Sequence, residues 1–280
     1  MERGNALIFR EGVGPNGGSG SMDLISKHLE DKIGTITFRN ERKRNCLSRV
    51  LLEQLMEALE DLKAQKTQVV VLRAPAGSKV WSAGLDIGEF PKSGRDPLAY
   101  DDPLEQVLRA IQRFPAPVIA MVEGSVWGGA CDLAFTCDIV VGTGSASFAI
   151  TPAKVGIPYN ASGILHFVNI VGLHIAKEMF FTAAPITAER AEKYGILNRL
   201  VPPEELESVT YGMARQIVRN SPLAISVIKE QLRILGNSHP LSPETFERIQ
   251  GLRRRVYDSE DFIEGKRAFL EKRAPVFRGE

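Results

Sequence analysis

From Leu24 onward the chain alternates between short apolar runs and segments whose apolar residues recur at helical spacing. Ile33–Arg39 mixes β-branched residues with Phe38 and predicts a strand. Val69–Leu72 and Val118–Val122 are continuous apolar runs, the pattern of strands covered on both faces in a parallel sheet. Between them, Arg49–Gln65 sets Leu51, Leu52, Leu55, Met56, Leu59 and Leu62 at helical spacing behind Ser48, whose hydroxyl suits an N-cap. Leu104, Val107, Leu108 and Ile111 predict a second helix, and Asp138–Val141 a further strand. Strand and crossover helix therefore recur through about residue 150, which predicts an α/β fold of stacked βαβ units with right-handed connections.

After Thr187 the pattern turns helical, over Thr187–Tyr194, Pro203–Asn220, Ser221–Leu235, Pro243–Tyr257 and Ser259–Lys272, with breaks at Ser221-Pro222 and Asn237–Pro240. Upstream, Gly12–Ser21 is rich in Gly and Ser without an apolar period, so it reads as a flexible linker, native or vector-derived, behind Met1–Arg10. The expected organisation is an extension over residues 1–21, a core over 22–186 and a helical region over 187–280.

Composition narrows the function. With 44% hydrophobic residues in 280, the chain can bury a large core. Its 35 basic and 34 acidic side chains leave a net charge of +1, so no global field draws it to nucleic acid or to an anionic membrane. An anionic partner would have to meet a local basic patch. No apolar run looks long enough to span a bilayer, and residues 1–21 lack a signal-peptide pattern. Cys46, Cys131 and Cys137 are odd in number, without zinc-like spacing and in apolar company, which predicts reduced packing thiols in a cytoplasmic protein. The four histidines, His28, His166, His174 and His239, are scattered, and no metal site is expected. Gly142–Ser147 imitates a dinucleotide loop, but Phe148–Pro152 cannot open a helix behind it.

Two segments could carry chemistry. Trp81–Glu89 contains Ala83-Gly84, small enough for another group to approach the backbone, and can aim the N–H of Leu85 outward. Gly124–Asp132 follows an apolar strand and leads into a helix, so Gly128, Gly129 and the helix N-terminus offer unpaired donors to an oxygen gaining negative charge. Either turn alone could simply make a tight corner.

Together, Ser82-Ala-Gly-Leu-Asp-Ile87, Gly124-x-x-x-Gly-Gly-Ala-x-Asp-Leu133 and Cys137-Asp138 resemble the paired oxyanion-hole segments of the enoyl-CoA hydratase/isomerase (crotonase) superfamily. The resemblance runs from about Asp23 to Gly279 and includes Ala268–Arg273. It implies the crotonase fold, a spiral of ββα units in two β-layers with C-terminal helices, assembled as a homotrimer or homohexamer. It further implies that Leu85 and Gly129 supply two N–H groups to a thioester carbonyl, with Ala83 and Gly128 lining that contact. By the same resemblance Lys43 and Arg44 meet coenzyme A at its entry, and Phe269 and Lys272 meet its adenine nucleotide end. Read without the resemblance, these cations could equally form a solvated charged face.

Hydratases of the superfamily use two carboxylates, at sites that match Asp132 and Pro152 here; an imino acid has no proton to exchange, so water addition is not expected. Asp132 could act as a single isomerase base or complete a helix dipole. Thr151–Asn160 is similar to the corresponding stretch of the superfamily's decarboxylating members, in which the tyrosine matching Tyr159 binds the departing carboxylate. The implied reaction is decarboxylation of methylmalonyl-CoA, or a similar malonyl-type thioester, through an enolate. No cofactor beyond the coenzyme A moiety of the substrate is implied. Leu85 departs from those members, which carry His there; a backbone donor survives that exchange, whereas any side-chain contribution does not. The competing expectations are an isomerase or hydratase using Asp132, a noncatalytic coenzyme A-binding or RNA-binding homologue, and a structural assembly protein.

Overall fold

The computed structural model describes residues 23–90, 99–236 and 242–279. The linker expected over 1–21 and the break at Asn237–Pro240 lie outside them. In chain order the elements are β1 (Ile25–Glu30), β2 (Ile33–Phe38), α1 (Arg49–Ala64), β3 (Val69–Arg73), β4 (Val80–Ser82), α2 (Pro103–Arg113), β5 (Val118–Val122), β6 (Ser125–Trp127), α3 (Gly129–Thr136), β7 (Ile139–Thr143), β8 (Ser147–Ala149) and α4 (Ala161–Thr182). There follow β9 (Ile186–Thr187), α5 (Ala188–Lys193), β10 (Arg199–Val201), α6 (Leu206–Val218), α7 (Pro222–Gly236), α8 (Pro243–Tyr257) and α9 (Glu260–Leu270).

The strands form two sheets, one ordered β1-β2-β3-β5-β7-β10 and one ordered β4-β6-β8-β9. Among the described residues only the outer pairs β1/β2 and β8/β9 are antiparallel, and the other pairings are parallel. A strand of the large sheet, a strand of the small sheet and a helix repeat as β3-β4-α2, β5-β6-α3 and β7-β8-α4, which is the two-layered ββα spiral.

The continuous apolar runs follow from this layering. In β3, Val70 and Leu72 join the main core, whereas Val69 and Val71 face a second cluster closed by Leu206 and Ala214 of α6. A strand buried on both faces cannot alternate in polarity. Ser48 caps α1 as expected, its hydroxyl accepting from the N–H of Leu51, a contact of a kind that contributes about 1 kcal/mol. The three cysteines are free and buried, and desolvation pushes the Cys46 thiol up to about 11.

Several elements escaped the sequence pattern. β4, β6, β8 and β9 have two or three residues each, too few to show a period. β10 lies within the stretch read as helical and pairs with β7, so the region after Thr187 contributes a strand and a covering helix to the large sheet. α4 was also missed, because it is apolar around much of its circumference and carries Gly163 and Gly172. Its 22 residues and mean hydropathy of 1.3 match a bilayer-crossing helix in length and composition, contrary to the reading that no run was long enough. At Gly172, however, φ is 74° and ψ 162°, which divides it into two shorter helices. Each reaches only about half of a ~30 Å hydrocarbon core.

Candidate active site

Leu85 lies in a short parallel bridge with Leu47. Leu47 donates to the Gly84 carbonyl at 2.8 Å and accepts from the Asp86 N–H at 3.4 Å. In that register the residue between the two bonds turns its own N–H and C=O away from its partner strand. The Leu85 N–H therefore points away from Leu47 and has no hydrogen-bond partner among the described residues. Three contacts hold the segment: Ala83 N–H to Arg44 O at 2.9 Å and, both buried, Ser82 Oγ to Asn45 O at 2.6 Å and Asn45 Nδ2 to Trp81 O at 3.1 Å. Arg44 and Asn45 both adopt left-handed backbone, with φ of 53° and 50°, which turns these groups inward.

The second donor comes from the start of α3. Gly128 is its N-cap residue, with φ 52° and ψ −125°, a conformation open to glycine and hostile to a side chain. Its N–H is bound to Ala149 O at 2.8 Å, whereas the N–H of Gly129, at the first helical position, has no partner among the described residues. The two segments abut. A Cβ placed on Gly84 would overlap the Trp127 carbonyl and come within 3.3 Å of the Gly129 nitrogen, and one on Gly129 would meet Leu85 Cγ at 3.2 Å. Two unpaired N–H groups, one at a helix N-terminus, thus converge where a carbonyl oxygen could collect negative charge.

Asp132 and Tyr159 meet as a pair. The Tyr159 hydroxyl donates to Oδ2 of Asp132, and both residues are buried, at 7% and 3% exposure. Oδ1 of Asp132 is buried without a hydrogen-bond partner among the described residues. Desolvation pushes the Asp132 carboxyl up to about 7; the phenol's hydrogen bond opposes this and the nearby Glu105 adds to it. Burial, reinforced by Asp132, also holds the Tyr159 hydroxyl well above its ordinary value, so it stays protonated. Asp132, expected to be a dipole-completing group or a lone isomerase base, thus also accepts the hydrogen of the hydroxyl that Tyr159 was expected to offer to a leaving carboxylate.

Pro152 opens a 3-10 turn, Pro152–Val155, and supplies no carboxylate. A second buried carboxylate is nonetheless present, Glu105 of α2, which the sequence reading missed. Its Oε1 accepts from Asn160 Nδ2 and its Oε2 lies 3.8 Å from Nη1 of Arg109. The available signal was its position three residues before Leu108, on the edge of the apolar face of α2.

The candidate coenzyme A contacts are spread more widely. Lys43 pairs with Asp86 at 3.3 Å, beside Leu85. Arg44 contributes its carbonyl to the turn while its side chain is exposed. Phe269 is half exposed at the end of α9, and Lys272 is exposed just beyond it, with no ion pair among the described residues. A cavity of about 1290 Å³ between α4 and the α8–α9 pair has Tyr159 in its wall, with Ile164, Leu165, Ile249 and Val256. Leu85, Gly129 and Asp132 do not line it, so it meets the polar site only at Tyr159. The unpaired N–H groups lie outside that cavity's wall.

The ββα spiral and these main-chain donors define a crotonase-fold protein, and the enoyl-CoA hydratase/isomerase family pattern matches residues 28–280; the chain belongs to that family. It is 53% identical to methylmalonyl-CoA decarboxylase of Escherichia coli K12 over 259 residues, which cover 92% of this chain and 99% of that protein. Methylmalonyl-CoA decarboxylase in complex with 2-nitronate-propionyl-CoA superimposes with a TM-score of 0.91 at 51% identity, covering 93% of this chain and all of the other. The complex of that enzyme with 2S-carboxypropyl CoA gives 0.90 at 52% identity, with the same coverage.

Proposed function

We propose that this chain is a biotin-independent carboxy-lyase that converts methylmalonyl-CoA to propionyl-CoA and CO₂. The observation that carries the reading is the Tyr159–Asp132 pair in a chain 53% identical to methylmalonyl-CoA decarboxylase. The thioester oxygen sits between the N–H groups of Leu85 and Gly129. The C2–carboxylate bond breaks, its electron pair moves into the C1–C2 π-bond, and the thioester oxygen becomes an enolate. Both donors bind that oxygen more strongly as charge develops, which lowers the barrier rather than the ground state. CO₂ leaves and C2 takes up a proton.

Tyr159 orients the carboxylate so that the breaking bond stands perpendicular to the thioester plane. A phenol has one hydrogen to donate, and in the free protein Asp132 takes it. Protonation of Asp132 reverses that bond: the carboxylic acid donates to the phenol oxygen, and the phenol hydrogen is released to the substrate. Burial of Asp132 makes this state accessible near neutral pH. No cofactor enters beyond the coenzyme A moiety.

Ala83 and Gly128 flank the thioester, Lys43 and Arg44 meet the coenzyme A phosphates, and Phe269 and Lys272 meet its nucleotide end. Because Lys43 already holds Asp86, it must exchange that partner for a phosphate. A homotrimer or homohexamer would cover the apolar residues Leu223, Ile228, Leu232 and Leu235 that α7 exposes. A cytoplasmic setting suits three buried reduced thiols.

Water addition is disfavoured because Pro152 carries no acid and both oxygens of Glu105 face other groups. The test is to offer methylmalonyl-CoA, malonyl-CoA, ethylmalonyl-CoA and crotonyl-CoA in parallel and follow products by mass spectrometry. Loss of CO₂ from methylmalonyl-CoA is expected; hydration of crotonyl-CoA with no CO₂ released from the others would overturn the assignment.

A further inference from the structure

We propose that Glu105 is a positioning residue for the decarboxylation, acting through Asn160 to hold the Tyr159 hydroxyl in place. This rests on the reading of Tyr159 as the group that orients the leaving carboxylate. Glu105 is 8% exposed in the first turn of α2, a costly place for a carboxylate that does nothing. It receives a hydrogen bond from Nδ2 of Asn160, the residue that follows Tyr159 and is itself buried. The other end of the same amide, Oδ1, caps α4 by accepting from the Gly163 N–H at 2.8 Å. Asn160 is therefore fixed from two elements at once, and the backbone at Tyr159 is fixed with it.

The ring of Tyr159 has little freedom of its own. It packs edge-on against Phe180 at 5.0 Å and Phe167 at 5.9 Å. A methyl group on Gly163 would come within 2.5 Å of its Cε1. With the ring held so closely, the place of the hydroxyl follows the backbone at 159–160. A misplacement of about 1 Å in a group that orients a substrate costs roughly 10²-fold in rate.

The residue before Glu105 strengthens the assignment. Leu104 packs where Gly129 has no side chain, its Cδ2 lying 2.9 Å from the position a Cβ would take. One turn of α2 thus touches the oxyanion donor with Leu104 and the tyrosine segment with Glu105. Glu105 does not contact the phenol, which meets Asp132, so its hydrogen-bonded reach to that hydroxyl passes through Asn160; its charge also helps to raise the Asp132 carboxyl, and the kinetic comparison is therefore made well below pH 7, where Asp132 is protonated.

The test compares Glu105→Leu, Glu105→Gln and Asn160→Ser by kcat and KM on methylmalonyl-CoA, thermal midpoint, and NMR of protein labelled with ¹³Cζ-tyrosine. Tyr159→Phe assigns the signal. Glu105→Leu is expected to lower kcat about tenfold or more with KM within about threefold, and Glu105→Gln, which keeps an oxygen acceptor, to recover to within about threefold of wild type. Asn160→Ser can still cap α4 but cannot reach Glu105, so it should reproduce the loss. The Tyr159 signal should move in Glu105→Leu and Asn160→Ser and stay in Glu105→Gln.

Full kcat in Glu105→Leu overturns the proposal, as does a Glu105→Gln variant no better than Glu105→Leu, which would mean that charge matters rather than the hydrogen bond. If Glu105→Leu does not fold, Asn160→Ser decides the matter. If the wild-type protein releases no CO₂, the functional reading fails by itself. The NMR signal still reports on the clamp, and an unmoved Tyr159 resonance in the folded variants overturns it.

Discussion

Tyr159 donates its phenolic hydrogen to one oxygen of Asp132, whose other oxygen is buried with no partner among the described residues. A buried carboxylate half-served in this way costs free energy while it is charged, so protonation relieves it. The pair is thus a proton-dependent donor, and the predictions below begin from it.

Tyr159→Phe keeps the aromatic packing against Phe167 and Phe180 and removes only the hydroxyl. Decarboxylation of methylmalonyl-CoA should slow by roughly 10²-fold in kcat, the scale of a lost orienting donor, with coenzyme A affinity nearly unchanged. Steady-state kinetics with calorimetric binding of coenzyme A check this; unchanged turnover would remove Tyr159 from the mechanism.

The pH profile has a defined sign. On the proposed mechanism the active form carries protonated Asp132, and its carboxyl is raised to about 7, so kcat/KM should be level below that pH and fall about tenfold per unit above it. Asn at 132 can donate permanently to the phenol oxygen, as the protonated acid does, and Asp132→Asn should therefore stay active and lose the alkaline limb. Stability should follow the same logic. A carboxyl raised from its model-compound value of 3.8 destabilises the fold progressively as pH rises from about 4 to 7, and Asp132→Asn should relieve this above pH 7. An alkaline limb that persists in Asp132→Asn would assign it to another group.

Gly84→Ala tests the proposed oxyanion donors without altering a polar group. Gly84 has φ of 81°, and the added methyl would strike the Trp127 carbonyl, forcing apart the two segments that carry the Leu85 and Gly129 N–H groups. Loss of one such donor costs about 10²- to 10³-fold in kcat, and the variant should fall in or below that range while its circular dichroism remains native. Wild-type turnover in a folded variant would place the carbonyl elsewhere.

The large sheet was legible because β3 and β5 are covered on both faces and show it as unbroken apolar runs. The small sheet was not, since strands of two or three residues have no period to read. Glycine placement located the loops that carry Leu85 and Gly129. The same turn and the resemblance named the Leu85 N–H; the reason it has no partner among the described residues is the register between Leu47 and Leu85, a pairing across the fold. The contacts that shape the site join residues far apart in the chain, 27 positions for Asp132 and Tyr159 and 55 for Glu105 and Asn160. Local pattern carries no trace of such distances. Pro152 could be read as a missing acid, whereas Glu105 entered from another helix, where the same rule had no position to examine.

The first turn of α2 touches both halves of the site, through Leu104 at Gly129 and Glu105 at Asn160. On the proposed chemistry it works as a ruler. One half holds a thioester oxygen and the other a carboxylate, and their spacing is set by a single rigid turn of helix rather than by a loop. A thioester whose carboxylate lies one carbon further along, as in a succinyl group, would bring its charge to the wrong mark even if the coenzyme A portion bound fully. Discrimination by length would then be built into the scaffold and persist through changes of side chain around the acyl group.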